Sequence, residues 1–482
     1  MSMLSALMLI PSLYAWSDGQ ILVATAFFVS AVGTLFFGGG LVLANRMETT
    51  SLNRRETFLT ALIVWTVIPV FAALPLSIGE AAPTALDAYF EALSGFTTNG
   101  ASVLENLENQ PRAILLWRSL IQWVGGFAII IFVSTLATTL NMPGNNPLNR
   151  AIAKSTRRRL SRRIRFAVLS ILQIYIVLTM ACITLLWLSG MDPFHALCYG
   201  FSTLSTGGFT VTSSGVELFG NRFTEVVLIL FMILGAISFS LHWAFFNGDR
   251  KSYFSNPEYR YLLFSLLFGT VLMFLLLTVE TDMPALQTIR YALFNTVSAL
   301  TTTGYTMDPL SEAGEPFWPV GSLLLLLFLI SMGGSTGSTS GGIKLIRAIL
   351  LLKQGAAEVR RLSYPSAIIV LKYGSSIITR EHVLSAWGFF TLYCFSILVV
   401  SLGLAFTGLD FQAAFALAVS NIANAGAAVS PVMTGLGADD AKFVSYSALP
   451  VGAKILLCLA MLVGRLEFFS ILALLSPSIW RR

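Results

Sequence analysis

Apolar runs long enough to span a bilayer alternate along this chain with short polar stretches. Ile21 to Leu43, Phe166 to Leu188, Tyr261 to Leu277, Trp387 to Phe406 and Ile455 to Leu475 each supply the roughly 20 apolar residues a helix needs to cross the hydrocarbon. The opening stretch, Met1 to Trp16, is apolar but lacks a basic start and a small-residue cleavage pattern, so it is expected to be a short membrane helix and not a signal peptide. Between the long runs lie segments of about a dozen mildly apolar residues ending in small polar residues and glycine. They are too short to cross and fit re-entrant helices better.

Composition supports a membrane protein: of 482 residues, 55% are hydrophobic and 11% charged, where a soluble chain carries about a quarter charged residues. Cys182, Cys198, Cys394 and Cys458 lie inside apolar segments in no ligand-like spacing, and His195, His242 and His382 are unclustered. Neither a disulfide framework nor a metal site is indicated. Sorting charges by alternate sides of the spans puts 23 basic and 6 acidic residues on one side, and 6 basic and 17 acidic ones on the other. Basic loops stay cytoplasmic during insertion, so the first side faces the cytoplasm at +17 and the second faces outward at −11. An acidic outer face concentrates cations, though the same asymmetry serves topology alone. The basic run Lys154 to Arg165 suits anionic lipid or a cytosolic protein. No aromatic interleaving or binding motif accompanies it, which argues against nucleic acid.

Four of the short segments align without a gap on Gly100, Gly208, Gly304 and Gly426, at intervals of 108, 96 and 122 residues. Sixteen residues before each glycine stand Thr84, Asp192, Thr288 and Asp410; twelve before, Ala88, Ala196, Ala292 and Ala414; six before, Ser94, Ser202, Ser298 and Ser420. Thr and Asp are N-caps. About eleven helical residues then cover roughly 17 Å, so each helix is expected to start at the outer face and stop near mid-membrane. Its C-terminal end carries partial negative charge that favours a cation. The loops that follow are Phe96-Thr97-Thr98-Asn99-Gly100, Leu204-Ser205-Thr206-Gly207-Gly208, Leu300-Thr301-Thr302-Thr303-Gly304 and Ile422-Ala423-Asn424-Ala425-Gly426. Backbone carbonyls freed from helix bonding at that depth suit a dehydrated alkali cation.

The four motifs, the two helices before the first of them and the full length resemble the superfamily of Trk, Ktr and HKT cation transporters, most closely the bacterial Trk-type potassium-uptake membrane subunits. The resemblance implies an all-α polytopic protein. Four pseudo-repeated units of span, re-entrant pore helix, filter loop and span (57–141, 164–247, 259–363 and 381–476) would surround one pore, preceded by two extra helices within 1–46. It also implies a homodimer in the bacterial inner membrane, a peripheral cytoplasmic NAD/ATP-binding regulatory subunit, and K⁺ as the transported ion, with no covalently bound cofactor. The filter would comprise Thr97 to Gly100, Ser205 to Gly208, Thr301 to Gly304 and Ala423 to Gly426. Against the potassium-channel filter Thr-Val-Gly-Tyr-Gly, only the third loop has Gly-Tyr, at Gly304-Tyr305, and none has the second glycine. Weaker discrimination between K⁺ and Na⁺ is therefore expected. In related plant transporters a serine in place of the first-repeat glycine looks like the mark of sodium preference, so Gly100 argues for K⁺.

Residues 333–342, Gly333-Gly334-Ser335-Thr336-Gly337-Ser338-Thr339-Ser340-Gly341-Gly342, contain only Gly, Ser and Thr. The P-loop signature needs Gly-Lys-Ser/Thr, and here Ile343 follows Gly342. The segment interrupts a span and resembles the family's intramembrane gate loop, with Gly333, Gly334, Gly337, Gly341 and Gly342 allowing it to fold and move. Arg465, deep in the last span, costs on the order of 3 kcal/mol unless paired or wetted. It is expected to be a charge beside the pore, although a salt bridge to another helix is the simpler account. Glu467 projects from another helix face, and Lys454 is expected to snorkel outward without a function. A gated pore competes with an ion-coupled symporter of alternating access, which would need a buried mid-membrane carboxylate, for which Glu467 is the candidate. An enzyme is disfavoured, because no cluster of His, Asp, Cys or Ser nucleophiles lies at membrane depth.

Overall fold

The computed structural model describes residues 1–44, 54–139, 157–213, 221–281, 283–308, 318–366, 369–374, 376–429 and 445–466. The chain opens with an antiparallel pair, α1 (Ser2–Ser17) and α2 (Ile21–Ala44), tied by Ser5 Oγ donating to Ala31 O at 2.7 Å and Ser12 Oγ to Ala24 O at 2.9 Å. Four helix triplets follow. The first is α3 (Arg54–Ile78), α4 (Ala85–Phe96) and α5 (Arg112–Thr139). The second is α6 (Arg157–Leu188), α7 (Pro193–Leu204) and the pair α8 (Arg222–Ala236) and α9 (Phe239–Phe246). After the short α10 (Ser252–Ser255), the third is α11 (Pro257–Glu280), α12 (Ala285–Leu300) and α13 (Val320–Met332), continued by α14 (Leu345–Ser363). A two-stranded antiparallel ribbon, β1 (Lys372–Tyr373) and β2 (Ser376–Ile377), leads to the fourth: α15 (Arg380–Phe406), α16 (Phe411–Ile422) and α17 (Val451–Arg465).

In each triplet the short middle helix packs between the helices before and after it. The helix after it also packs on the next triplet's short helix: α5 on α7, α8 on α12, α13 on α16, and α17 back on α4. Chain order thus closes into a ring. Among the described residues, six helices are long and apolar enough to cross a membrane. The outside is apolar and the centre polar: Phe264 is 64% and Phe406 92% exposed, whereas Thr98, Asn99 and Ser205 are at most 1% exposed. That inversion suits a lipid solvent, which favours apolar exposure and leaves polar groups to pair inside.

Several boundaries differ from expectation. Thr84 and Asp192 cap their helices, accepting from Asp87 N and Phe194 N at 3.1 Å each. Asp410 stands at the N-cap of α16 without a side-chain cap bond. Thr288 is not a cap: α12 begins a turn earlier behind Pro284, and Thr288 Oγ1 donates back to Pro284 O at 3.2 Å. Proline's fixed φ initiates the helix ahead of the threonine. The last span starts at Val451 behind Pro450, and its described helix ends at Arg465; Glu467 and the rest of the run to Leu475 lie outside the described residues. So do Lys154 and the side chains of Arg157 to Arg165. The break between α8 and α9, bent by 99°, has no counterpart in the hydropathy.

Candidate functional site

The short helices α4, α7, α12 and α16 end in one common turn. Each C-cap, Thr97, Ser205, Thr301 and Ala423, is right-handed. The next residues, Thr98, Thr206, Thr302 and Asn424, are left-handed with φ of 53°, 50°, 57° and 54°. Beyond them, the N–H groups of Asn99, Gly207, Thr303 and Ala425 donate to the carbonyls of Ser94, Ser202, Ser298 and Ser420 at 2.8–2.9 Å. This is the Schellman closure, which satisfies helix-end carbonyls locally. The serine column of the sequence is therefore the acceptor column of the turn.

Three of the four left-handed positions hold threonine, a β-branched residue for which positive φ is an outlier. Such conformations cost on the order of 1–3 kcal/mol each and persist where surroundings enforce them. The side chains explain the enforcement, because three of them reach the loop 333–342 or its neighbour Arg465. Thr98 Oγ1 accepts from Arg465 Nη2 at 2.6 Å, Thr206 Oγ1 donates to Thr339 Oγ1 at 3.1 Å, and Thr302 Oγ1 accepts from Gly341 N at 2.7 Å. In the fourth turn, Ala423 O accepts from Gly342 N at 3.1 Å and Asn424 Nδ2 donates to Met461 O at 3.1 Å.

The loops meet in cyclic order. A Cβ on Gly100 would strike Gly207 O, one on Gly208 would strike Thr303 O, one on Gly304 would meet Ala427 and Ala428, and one on Gly426 would strike the side chain of Asn99. Gly100, Gly208 and Gly304 have positive φ of 80°, 80° and 91°. Gly426, expected to match them, does not, and opens a 3-10 turn, Gly426–Ala428. The following helices approach just as closely: a Cβ at Gly125 or Gly464 would strike Phe96 O or Ile422 O, and one at Gly235 would lie 2.8 Å from Leu204 O. Sequence reasoning passed over these three glycines, and their signal is small residues inside apolar runs.

Polar struts hold the loops from outside. Arg118 Nε bonds Glu91 Oε1 at 2.6 Å, its Nη2 donates to Ser102 Oγ at 2.9 Å and its Nη1 to Thr210 O at 3.1 Å, tying the first loop to the second. Gln122 donates from Nε2 to Gly207 O at 2.7 Å and accepts from Phe209 N at 3.3 Å. Lys454, expected to snorkel, is buried and bonds Asp87 Oδ1 at 2.6 Å and Ser447 O at 2.9 Å, linking the fourth triplet to the first. Arg290 pairs with Glu225 between the second and third triplets. Outside, Glu108 accepts from Ser213 N and Oγ, both at 2.7 Å, and these bonds hold its carboxyl below its ordinary range. Among the described residues the buried carboxylates are Asp87, Glu91, Glu225 and Glu258; the first three are ion-paired. Sequence reasoning had only Glu467, because a carboxylate's burial depends on distant partners.

Beneath the ring lies the Gly/Ser/Thr loop between α13 and α14, with Ser335, Ser338, Thr339 and Ser340 at most 1% exposed. Two of its backbone donors stay within it, Gly334 N to Ser340 Oγ at 3.1 Å and Ser338 N to Ser335 O at 3.3 Å, and others go to other elements: Ser335 N to Ala236 O at 2.9 Å, Thr339 N to Gly235 O at 3.2 Å and Thr336 N to Glu258 Oε1 at 2.7 Å. Lys344 Nζ donates to Ser340 O. Arg465 is 3% exposed and donates from Nη2 to both Thr98 Oγ1 and Thr339 O, the latter at 2.7 Å. Its charge therefore sits at the junction of ring and loop, held by uncharged acceptors.

Residues 24–482 match the family model TrkH, described as cation transport protein. The chain belongs to the TrkH family. A Trk system potassium uptake protein TrkH of Halomonas elongata is 36% identical over 460 residues, spanning 94% of this chain and 92% of the relative. That of Vibrio parahaemolyticus is 34% identical over 492 residues, spanning 100% and 97%. The crystal structure of the potassium transporter TrkH from Vibrio parahaemolyticus superposes with a TM-score of 0.86 at 33% identity, covering 100% of this chain and 97% of the other. The TrkH family and the apolar helices make this a multi-pass transporter of the bacterial inner membrane.

Proposed function

We propose that this TrkH-family chain takes up K⁺ through a gated, channel-like pore along the axis of the ring. The observation that carries the reading is the cyclic meeting of four Schellman-closed loops above a loop bonded to the ring's turns. Helix C-termini pointing inward place partial negative charge where a cation would sit. Carbonyls outside helix ladders replace its hydration shell. In this reading residues 97–100, 205–208, 301–304 and 423–426 form the filter, and 333–342 is the gate. Arg465 adds a positive barrier below the filter while the gate is shut. The four pore units are 57–141, 164–247, 259–363 and 381–476.

The resemblance to Trk-type subunits adds to this reading a cytoplasmic nucleotide-binding partner that moves the gate and a second copy of this chain in the assembly. Glu258, a buried carboxylate bonded to the loop, favours a second reading in which proton binding is linked to transport. Flux of ⁸⁶Rb⁺ into liposomes holding the purified chain, under separately imposed K⁺, Na⁺ and H⁺ gradients, distinguishes the two. A pore runs downhill on the Rb⁺ gradient alone, whereas obligatory dependence on the H⁺ gradient selects the symporter. Gly208→Ala is expected to abolish selective uptake, because its Cβ would collide with Thr303 O; unchanged uptake and Na⁺ exclusion would sink the filter assignment.

A further inference from the structure

The residue after each ring glycine reveals an asymmetry. Ala101, Phe209 and Tyr305 follow glycines of positive φ and are buried at 0%, 2% and 2% exposure: Ala101 packs against Gly426, the Phe209 ring lies under the Arg118 guanidinium, and Tyr305 OH pairs with Thr203 Oγ1. Ala427 follows Gly426, which lacks the positive φ, and is half-buried. Its methyl carbon lies 2.9, 2.9 and 2.7 Å from the points where a Cβ would stand on Gly100, Gly208 and Gly304. One carbon that close to glycines of three different loops must lie among them, on the axis.

Three hydrogen bonds hold Ala427 there. Its N–H donates to Asn99 O at 3.3 Å, Gly426 N–H donates to Asn99 Oδ1 at 3.1 Å, and Tyr446 OH donates to Gly426 O at 2.9 Å. Asn421 completes the circuit, accepting from Asn99 Nδ2 at 2.8 Å and donating to Tyr446 OH at 3.2 Å. Two carbonyls at the ring, Asn99 O and Gly426 O, are therefore occupied by protein donors.

We propose that Ala427 is a constriction at the ring, and that an ion passes when Gly426 adopts the positive φ of its three counterparts and carries the methyl off the axis. Glycine makes that rotation at little steric cost, so the three hydrogen bonds set the barrier. The rotation releases Asn99 O and Gly426 O, and a dehydrated cation replaces the lost N–H and O–H donors at those oxygens. Passage and coordination thereby become one event. The inference rests on the pore reading above.

The test is ⁸⁶Rb⁺ influx, with Na⁺ competition, into liposomes holding equal amounts of the purified full chain as wild type, A427G, Y446F, A427V and G100A. A427G is expected to raise the initial rate about threefold or more and weaken discrimination against Na⁺, while A427V lowers it at least about fivefold. Y446F should raise the rate by a smaller factor, because it removes one tether. If A427V does not reconstitute, the gains in A427G and Y446F still decide. Wild-type rates and Na⁺ competition in both A427G and Y446F, with flux still abolished by G100A, would overturn the constriction and leave the pore standing. Flux indifferent to G100A as well would overturn both.

Discussion

The ring and the loop beneath it both bury non-helical backbone, and they satisfy it differently. Each turn of the ring closes on its own helix, with a donor bonded to a carbonyl five residues back in all four cases. The loop 333–342 bonds within itself only around Ser335, Ser338 and Ser340 and takes its remaining partners from elsewhere: Ala236 and Gly235 at the end of α8, Glu258 at the start of α11, and Thr302 from the ring itself. A turn whose closing bond lies on its own helix keeps that bond when its neighbours move, even where its threonine side chain also leans on them. A region that borrows its partners keeps its shape only while they stay in place, so any of them can reset it.

Arg465 offers the sharpest way to break this contrast, since it bonds Thr98 of the ring and Thr339 of the loop at once. Arg465→Gln removes a buried charge and a shared partner together. Basal Rb⁺ flux without a cytoplasmic subunit is expected to rise about tenfold or more, with Na⁺ exclusion retained because the turns close locally. Loss of Na⁺ exclusion would show that the ring also depends on borrowed bonds. Glu258→Gln acts on the loop alone. A hydrogen bond to an ionised carboxylate is worth about 1.5–3 kcal/mol against about 1 for a neutral acceptor, so in alkaline medium, where Glu258 is ionised, basal flux should rise roughly fivefold; an unchanged rate there would mean that Thr336 does not hold the loop. The smallest effect is expected in the ring. Thr206→Asn places a residue tolerant of left-handed backbone at φ 50°, relieving about 1 kcal/mol. The thermal midpoint in detergent should rise slightly, and a fall would show that the Thr206 bond to Thr339 outweighs the strain.

The short helices were legible because columns recur in register: the four serines accept the turns' closing bonds, Thr84 and Asp192 cap their helices, and Gly100, Gly208 and Gly304 supply left-handed backbone. The left-handed column two residues before the glycines was not, because threonine is a poor residue for that conformation and its reason lies in the loop far along the chain. Ala101 and Ala427 make the limit plainest. Both follow a ring glycine in a Gly-Ala pair, yet one is fully buried against Gly426 and the other stands half-buried among the three remaining ring glycines, since Tyr446 and Asn99 decide the second. Lys454 was misread for the same reason: its partner Asp87 is 367 residues away. The bend at Ile237 and Ser238 left no trace, because both flanks are apolar helix and the break shows only where the loop packs on it.

That bend carries a consequence for how such a protein changes over generations. The broken helix and the loop interlock through three main-chain bonds, Ser335 N to Ala236 O, Thr339 N to Gly235 O and Phe239 N to Gly337 O. No side-chain replacement removes them except one to proline, which deletes the donor. The attachment is therefore nearly silent to alanine at its donors Ser335, Thr339 and Phe239, while its acceptors Gly235 and Gly337 resist any side chain, the first for want of room beside Leu204 O and the second for its left-handed backbone.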